Sequence, residues 1–207
     1  MFEFSEKDAM VDVVSTGKVL DTGIYDVKIV TASKDVASTG AIGINWQVHV
    51  EGAKYPNMVY GMWVARADGS RLFSMDIVNG LQGIAGAKKL TEYQKEVEIK
   101  DGKKKVTAFK ELDNIKCKVA IVKKFDWYQG AETEKNEIKR FFTESGHTFA
   151  ESKLGGKTKQ LNYMEANMKD TYTDEWKKAK ADGEMDGNNG DAAEEAGDTA
   201  ENSGSIL

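Results

Sequence analysis

The sequence predicts an all-β domain with one or two short helices, on three observations. Over most of residues 23–143 apolar side chains recur at every second position, the spacing of half-buried strands, and not at the 3.6 spacing of a helix. The alternating runs are punctuated by turn chemistry at Ala67-Asp68-Gly69-Ser70, Asp101-Gly102 and Gln129-Gly130. A chain of 207 residues with 40% hydrophobic content is long enough for one ordinary core, alone or with an appendage.

Taken in order, Tyr25, Val27 and Ile29 alternate with Asp26 and Lys28, and Ile42, Ile44, Trp46, Val48 and Val50 alternate with Gly43, Asn45, Gln47 and His49. They read as two antiparallel strands joined through the turn-rich stretch from Ser33 to Gly40. Met58 to Val64 is a third strand, apolar on both faces, with Tyr60 and Trp63 on opposite sides. After the 67–70 turn comes a short run, Arg71-Leu72-Phe73. The period then changes: Ile77, Leu81 and Ile84 lie at i, i+4 and i+7, a short helix capped by Ser74 or Asp76. Asp101-Gly102 marks a hairpin flanked by Lys100, Lys103, Lys104 and Lys105. The cleanest strand follows, with Ile115, Cys117, Val119 and Ile121 on one face and Lys116, Lys118, Ala120 and Val122 on the other, continuing to Tyr128. A last strand ends at Phe142. Glycines 146, 155 and 156 predict irregular chain over 144–160, and Thr173-Asp174-Glu175-Trp176 predicts a capped helical turn.

The organisation expected is a domain over 1–180 and a disordered acidic tail over 181–207. The tail holds eight acidic residues, no Lys or Arg and almost no large apolar side chain, too little to offset the entropy of ordering it. Removing its eight acids leaves 29 basic against 26 acidic residues, so a net charge of −5 conceals a body of +3. That asymmetry points to a nucleic-acid partner and a separate interaction tail. Within the tail, Asp191, Glu194, Glu195, Asp198 and Glu201 precede a hydrophobic tip, Ile206-Leu207, which is either a docking peptide or simply the end of the chain.

Several chemistries leave no trace. GxSxG, Walker-type and dinucleotide-binding glycine motifs are absent. His49 and His147 lie far apart in sequence and Cys117 is the single cysteine, on the apolar face of its strand, so neither a zinc site, a disulfide nor a reactive thiol is expected. No cofactor or metal and no catalytic residue is predicted. With no apolar run long enough to span a bilayer and acidic residues after Met1-Phe2-Glu3-Phe4, a cytoplasmic protein without membrane contact is expected.

Polyanion binding does leave traces. Residues 88–124 hold twelve lysines against six acids. Lys103, Lys104 and Lys105 flank the hairpin, Lys116 and Lys118 share a strand face, and Lys123 and Lys124 lead to Trp127 and Tyr128. Lysine in place of arginine suits phosphate attraction without bidentate base reading, hence sequence-tolerant binding. Rings beside cations suit stacking of unpaired bases. Tyr60, Trp63, Arg71, Trp127 and Tyr128 complete the candidate contacts, although Trp127 and Tyr128 could equally close one end of a barrel and the lysines could be a solvated face.

On these residues the chain resembles bacteriophage single-stranded DNA-binding proteins of replication and recombination modules. The likeness is carried by Gly23-Ile24-Tyr25-Asp26-Val27-Lys28-Ile29, the Ser38-Thr39-Gly40 turn, Asn79-Gly80-Leu81-Gln82-Gly83-Ile84-Ala85-Gly86, the lysine-rich hairpin and the acidic tail. The resemblance implies an OB-like five-stranded barrel with an intervening helix, whose groove holds single-stranded DNA. It also implies a tail that recruits replication or recombination proteins and competes with DNA for the groove. The ending Gly204-Ser205-Ile206-Leu207 departs from the aromatic tip of the best-known members. A homo-oligomer is compatible with all of this. The rival readings are a virion or assembly β protein without nucleic-acid affinity, a small nuclease or nucleotide hydrolase, and an RNA-binding module of the same fold.

Overall fold

One long, bent strand organises the molecule. β1 (Gly23–Val36) pairs from Val27 to its end with β2 (Ile42–Val50), and a bulge between Ile29 and Thr31 pushes Val30 outward and bends the strand. The bend lets the other edge of β1 serve two partners: Gly23–Ile29 pairs with β6 (Ile115–Tyr128), and Ser33 pairs with Ala108 of β5 (Gly102–Phe109). The computed structural model describes residues 19–53, 57–99 and 102–183.

β3 (Asn57–Ala65) pairs with β2, and β7 (Ala131–Phe142) with β6, which gives the path β3-β2-β1-β6-β7. Helix α1 (Ser74–Ile84) follows β3 and packs against both β3 and β7. That is the layout of an OB-like five-stranded barrel, left without a ladder between β3 and β7 among the described residues. Fully buried Ile29, Trp46, Val48, Val50, Leu81, Val119 and Ile121 fill it, with the Trp46 and Phe141 rings 5.2 Å apart. Burial and alternation are therefore the same pattern, as a half-buried sheet requires.

The sheet exceeds five strands. A hairpin of β4 (Glu92–Ile99) and β5 is inserted between α1 and β6, and β8 (Thr171–Tyr172) lies parallel to β6, so eight strands form one sheet among the described residues. The expected β1–β2 turn contracts to Ala37–Ala41, because Ser33 to Val36 find partners in β2, and Ser33 also in β5, and extend the strand. Arg71 to Phe73 form no strand beyond a single bridge, Ala65 to Arg71. Neither expected cap serves α1: Phe73 stands at the N-cap without a side-chain bond, and the Ser74 hydroxyl donates to the Trp63 carbonyl. The Gln129-Gly130 turn between β6 and β7 has φ of 53° and 77°, the positive pair that a two-residue hairpin demands.

Residues 144–160 are irregular only in part, for a short helix interrupts them. Thr148 and Glu151 make a reciprocal capping box that starts α2 (Phe149–Leu154), and Gly155, in the left-handed region, ends it. Gly83 of α1 admits the Phe149 ring, for a Cβ there would fall 2.6 Å from Phe149 Cγ. From α3 (Lys159–Asn167), Leu161 joins Ala120 and Phe142 in a second small core edged by Ile24, Met164 and Met168. This covers the outer face of β6 at Ala120 and explains why that residue is buried on the side it shares with Lys116 and Lys118. α4 (Asp174–Ala181) is capped by Thr173, which accepts from the Trp176 N–H, as the sequence predicts. No helix among the described residues is long and apolar enough to cross a membrane.

Candidate nucleic-acid interface

The outer face of β2 and β3 is a row of small and amide side chains ending in one exposed indole. Its rungs are Trp63 opposite Gly43, Gly61 opposite Asn45, Val59 opposite Gln47, and Asn57 opposite His49. Trp63 is 47% exposed, and its ring covers Gly43 so closely that a Cβ at 43 would lie 2.9 Å from Cε3. Glycine at 43 thus seats the ring on the sheet, leaving its far side open to solvent. Val59, 65% exposed, continues the apolar strip, while His49 Nδ1 and Asn57 Oδ1 are 2.9 Å apart. Tyr60, by contrast, belongs to the core: it is buried, its hydroxyl donates to Met58 Sδ, and burial pushes its phenol far above the ordinary value. Met58 and Val64 face inward with it, and this decides which of the two candidate rings is accessible.

The β4–β5 hairpin supplies a wall beside this face. A cleft of about 330 Å³ runs between Val30, Gln47, Asn57 and Val59 on one side and Lys95, Glu96 and Glu98 on the other. Asp113 fixes the wall. It accepts from the Thr31 hydroxyl at 2.8 Å, from Lys95 Nζ at 2.8 Å and from the Tyr93 hydroxyl, while Lys95 also donates to the Val30 carbonyl at 3.0 Å. Burial, then the Asp113 hydrogen bond, pushes the Tyr93 phenol up to about 12. Sequence reading missed this hub, since its members come from β1, β4 and the turn before β6.

The lysines do not form one bare basic ridge. β4 sets Glu98 opposite Lys103 and Glu96 opposite Lys105, and Lys103 pairs with Glu96 at 3.2 Å. Lys118 pairs with Asp26 at 2.6 Å, Lys123 with Glu134 at 3.0 Å and Lys124 with Glu137 at 2.8 Å. Hydrogen bonding to Glu134 and to Glu137 holds the Lys123 and Lys124 ammoniums above the usual lysine range. At Glu137 burial alone would raise the carboxyl, but the bonds from Lys124 and Lys139 outweigh it and the shift is downward. Arg71 is engaged by Asp76 at 3.0 Å. Lys104, Lys105 and Lys116 make no ion pair among the described residues and are exposed.

At the far end of β6, Tyr128 is 63% exposed and Trp127 half-buried, beside a ring cluster the sequence did not reveal: Phe125, Tyr172 and Trp176. Tyr172 reaches Phe125 through the short parallel β8, a pairing 47 residues distant that no local pattern encodes. Asp126 locks the junction, accepting from Thr173 and Lys135, each at 2.9 Å, and those bonds hold its carboxyl below the usual range. The tail residues Asp191, Glu194, Glu195, Asp198, Glu201, Ile206 and Leu207 lie outside the described residues.

Among the described residues no three His, Cys, Asp or Glu side chains gather as metal ligands. Burial pushes the Cys117 thiol up to about 12, so no thiolate is available near neutral pH. No protein-family model matches the chain, and no curated protein matches it.

Proposed function

We propose that the protein binds single-stranded DNA without sequence preference and without catalysis, protecting exposed strands during replication or recombination, with the acidic tail as the contact for partner proteins. The observation that carries this reading is Trp63, seated on Gly43 at one end of an amide-lined face whose other end, at Gln47, Asn57 and Val59, borders a cleft walled by the lysine-bearing hairpin. An exposed ring on the β2–β3 face of an OB-like barrel is where a base can stack, and stacking tolerates any base. Asn45, Gln47 and Asn57 offer both donors and acceptors to base edges, while Lys104, Lys105 and Lys116 attract phosphate.

The test is fluorescence-anisotropy titration of a labelled single strand of about 30 nucleotides at several salt concentrations, with duplex and RNA of equal length as competitors. Preference for the DNA single strand, weakening with salt, is expected; absence of binding at low salt refutes the reading. Removing residues 184–207 leaves binding unchanged or tightens it, whereas loss of binding on truncation would move the interface into the tail. A second reading, an assembly protein, draws on Phe73, 76% exposed, at the mouth of a groove of about 520 Å³ lined also by Ile77 and Phe149. It requires large oligomers and no DNA affinity, which sedimentation distinguishes.

A further inference from the structure

We propose a second nucleic-acid contact on the same molecule, a stacking platform formed by Phe125, Tyr172 and Trp176 and bracketed by lysines, which engages the strand beyond the stretch held at Trp63. This rests on the reading of the β2–β3 face as the primary site. The Phe125 and Tyr172 rings are nearly parallel, 12° and 5.1 Å apart, and the Tyr172 and Trp176 centroids are 4.4 Å apart. Lys123 Nζ stands 5.1 Å from the Phe125 centroid and Lys180 Nζ 4.8 Å from that of Trp176.

A cluster built only to clamp α4 onto β6 would bury its central ring. Here Tyr172, the ring that both others touch, is 40% exposed. Rings beside cations are the elements a sequence-tolerant groove uses for bases and phosphates. On the β7 side Glu132 accepts from Trp176 Nε1 at 2.6 Å and Glu134 holds Lys123, while Asp174 and Glu175 occupy the first turn of α4. Lys177 is paired with Asp174, whereas Lys180, one turn beyond Trp176 and over its ring, makes no ion pair among the described residues, so phosphates pass along the Lys180 side. The two surfaces adjoin. The unladdered seam between β3 and β7 is a cleft of about 300 Å³, lined by Val59 and Gly61 of the primary face and by Glu134, Lys135 and Asn136 of the platform's hairpin. Phe125 is the cross-strand partner of Glu134.

The experiment compares anisotropy titrations of the full chain with oligothymidylates of about 8 and about 30 nucleotides, lengths within and beyond the span of one OB-type site. Tyr172→Ala and Lys180→Gln are expected to weaken binding of the longer strand by about 5-fold or more and to leave the shorter unchanged. Tyr172→Phe keeps the wild-type affinity, because the ring and not the hydroxyl is used. Trp63→Ala weakens both lengths. Thermal melts of each variant show whether α4 has stayed docked, and Lys180→Gln, at an exposed position of α4, reads the platform even where Tyr172→Ala loosens it. Unchanged binding of the longer strand by folded variants, or equal loss at both lengths, overturns the platform. If wild-type protein binds neither length, the primary reading fails and the platform with it.

Discussion

Replacing Trp63 by alanine is the sharpest perturbation of the proposed site. Base-on-ring stacking contributes roughly 1–3 kcal/mol per base, so loss of this ring should raise Kd by about 5- to 150-fold. The stability cost can be bounded from the structure. About half of the indole is covered, in part by Gly43, and half of a roughly 200 Å² side chain at about 25 cal/mol/Å² is at most about 2.5 kcal/mol. A melt should therefore still show a folded protein, in contrast to Trp46→Ala, where removal of a fully buried ring should cost about 3–5 kcal/mol. Trp63→Phe should recover most of the affinity. Every lysine is retained in these variants, so the slope of log K against log salt should match wild type. The assay is anisotropy titration at three or more salt concentrations, with urea denaturation in parallel. Unchanged affinity in a folded Trp63→Ala would refute the placement of the strand on β2 and β3.

Three further outcomes follow from the same geometry. Lys104→Gln/Lys105→Gln should weaken binding and flatten the salt slope by about 0.7 for each phosphate no longer neutralised, whereas Lys103→Gln, whose ammonium is engaged by Glu96, should change the slope less. Asp113→Ala removes the shared acceptor of Thr31, Tyr93 and Lys95 in a largely buried site and should lower stability by about 2–4 kcal/mol in urea denaturation, with Asp113→Asn intermediate. Cys117, with its thiol raised to about 12, should resist thiol reagents at pH 8 until the protein unfolds; because the unfolded thiol deprotonates near pH 9 while the folded one stays protonated, its stabilisation is complete below pH 9 and is lost as pH rises towards 12, with a slope of up to about 1.4 kcal/mol per pH unit, which Cys117→Ser would remove.

What the sequence made legible is what alternation encodes. The inward faces of β1, β2 and β6 were readable from Val27 and Ile29, from Ile44 to Val50, and from Cys117 to Ile121, and so was the Thr173 cap of α4. What stayed hidden depends on partners far along the chain. Ala120 sits on a formally exposed face that Leu161 and its neighbours cover, and the Thr148–Glu151 box that begins that segment was obscured by the glycines around it. Opposite faces for Tyr60 and Trp63 were legible; which one faced in was not, because that rests on where α1 and β7 close the barrel. The lysine count was legible too, but its meaning was not, since Glu134 and Glu137 meet Lys123 and Lys124 only through the β6–β7 register.

That register changes what salt should do. A lysine whose counterion is a carboxylate of the same protein must first give up that partner, and a freed carboxylate that stays at the interface takes up a salt cation in place of the one the phosphate releases, so the net release is small. Of the seven lysines that the sequence offers to phosphate, Lys103, Lys118, Lys123 and Lys124 are so engaged, and Lys104, Lys105 and Lys116 make no pair among the described residues. At about −0.7 per single-strand phosphate neutralised, seven lysines would give a slope near −5 and three a slope near −2. The steep dependence expected from composition thus becomes a moderate one, and affinity at physiological salt shifts from the lysines to Trp63 and the other rings. A measured slope near −5 would mean that the ion pairs open on binding and that their carboxylates leave the interface. A slope near −2 together with a large Trp63→Ala loss would identify stacking as the main source of affinity.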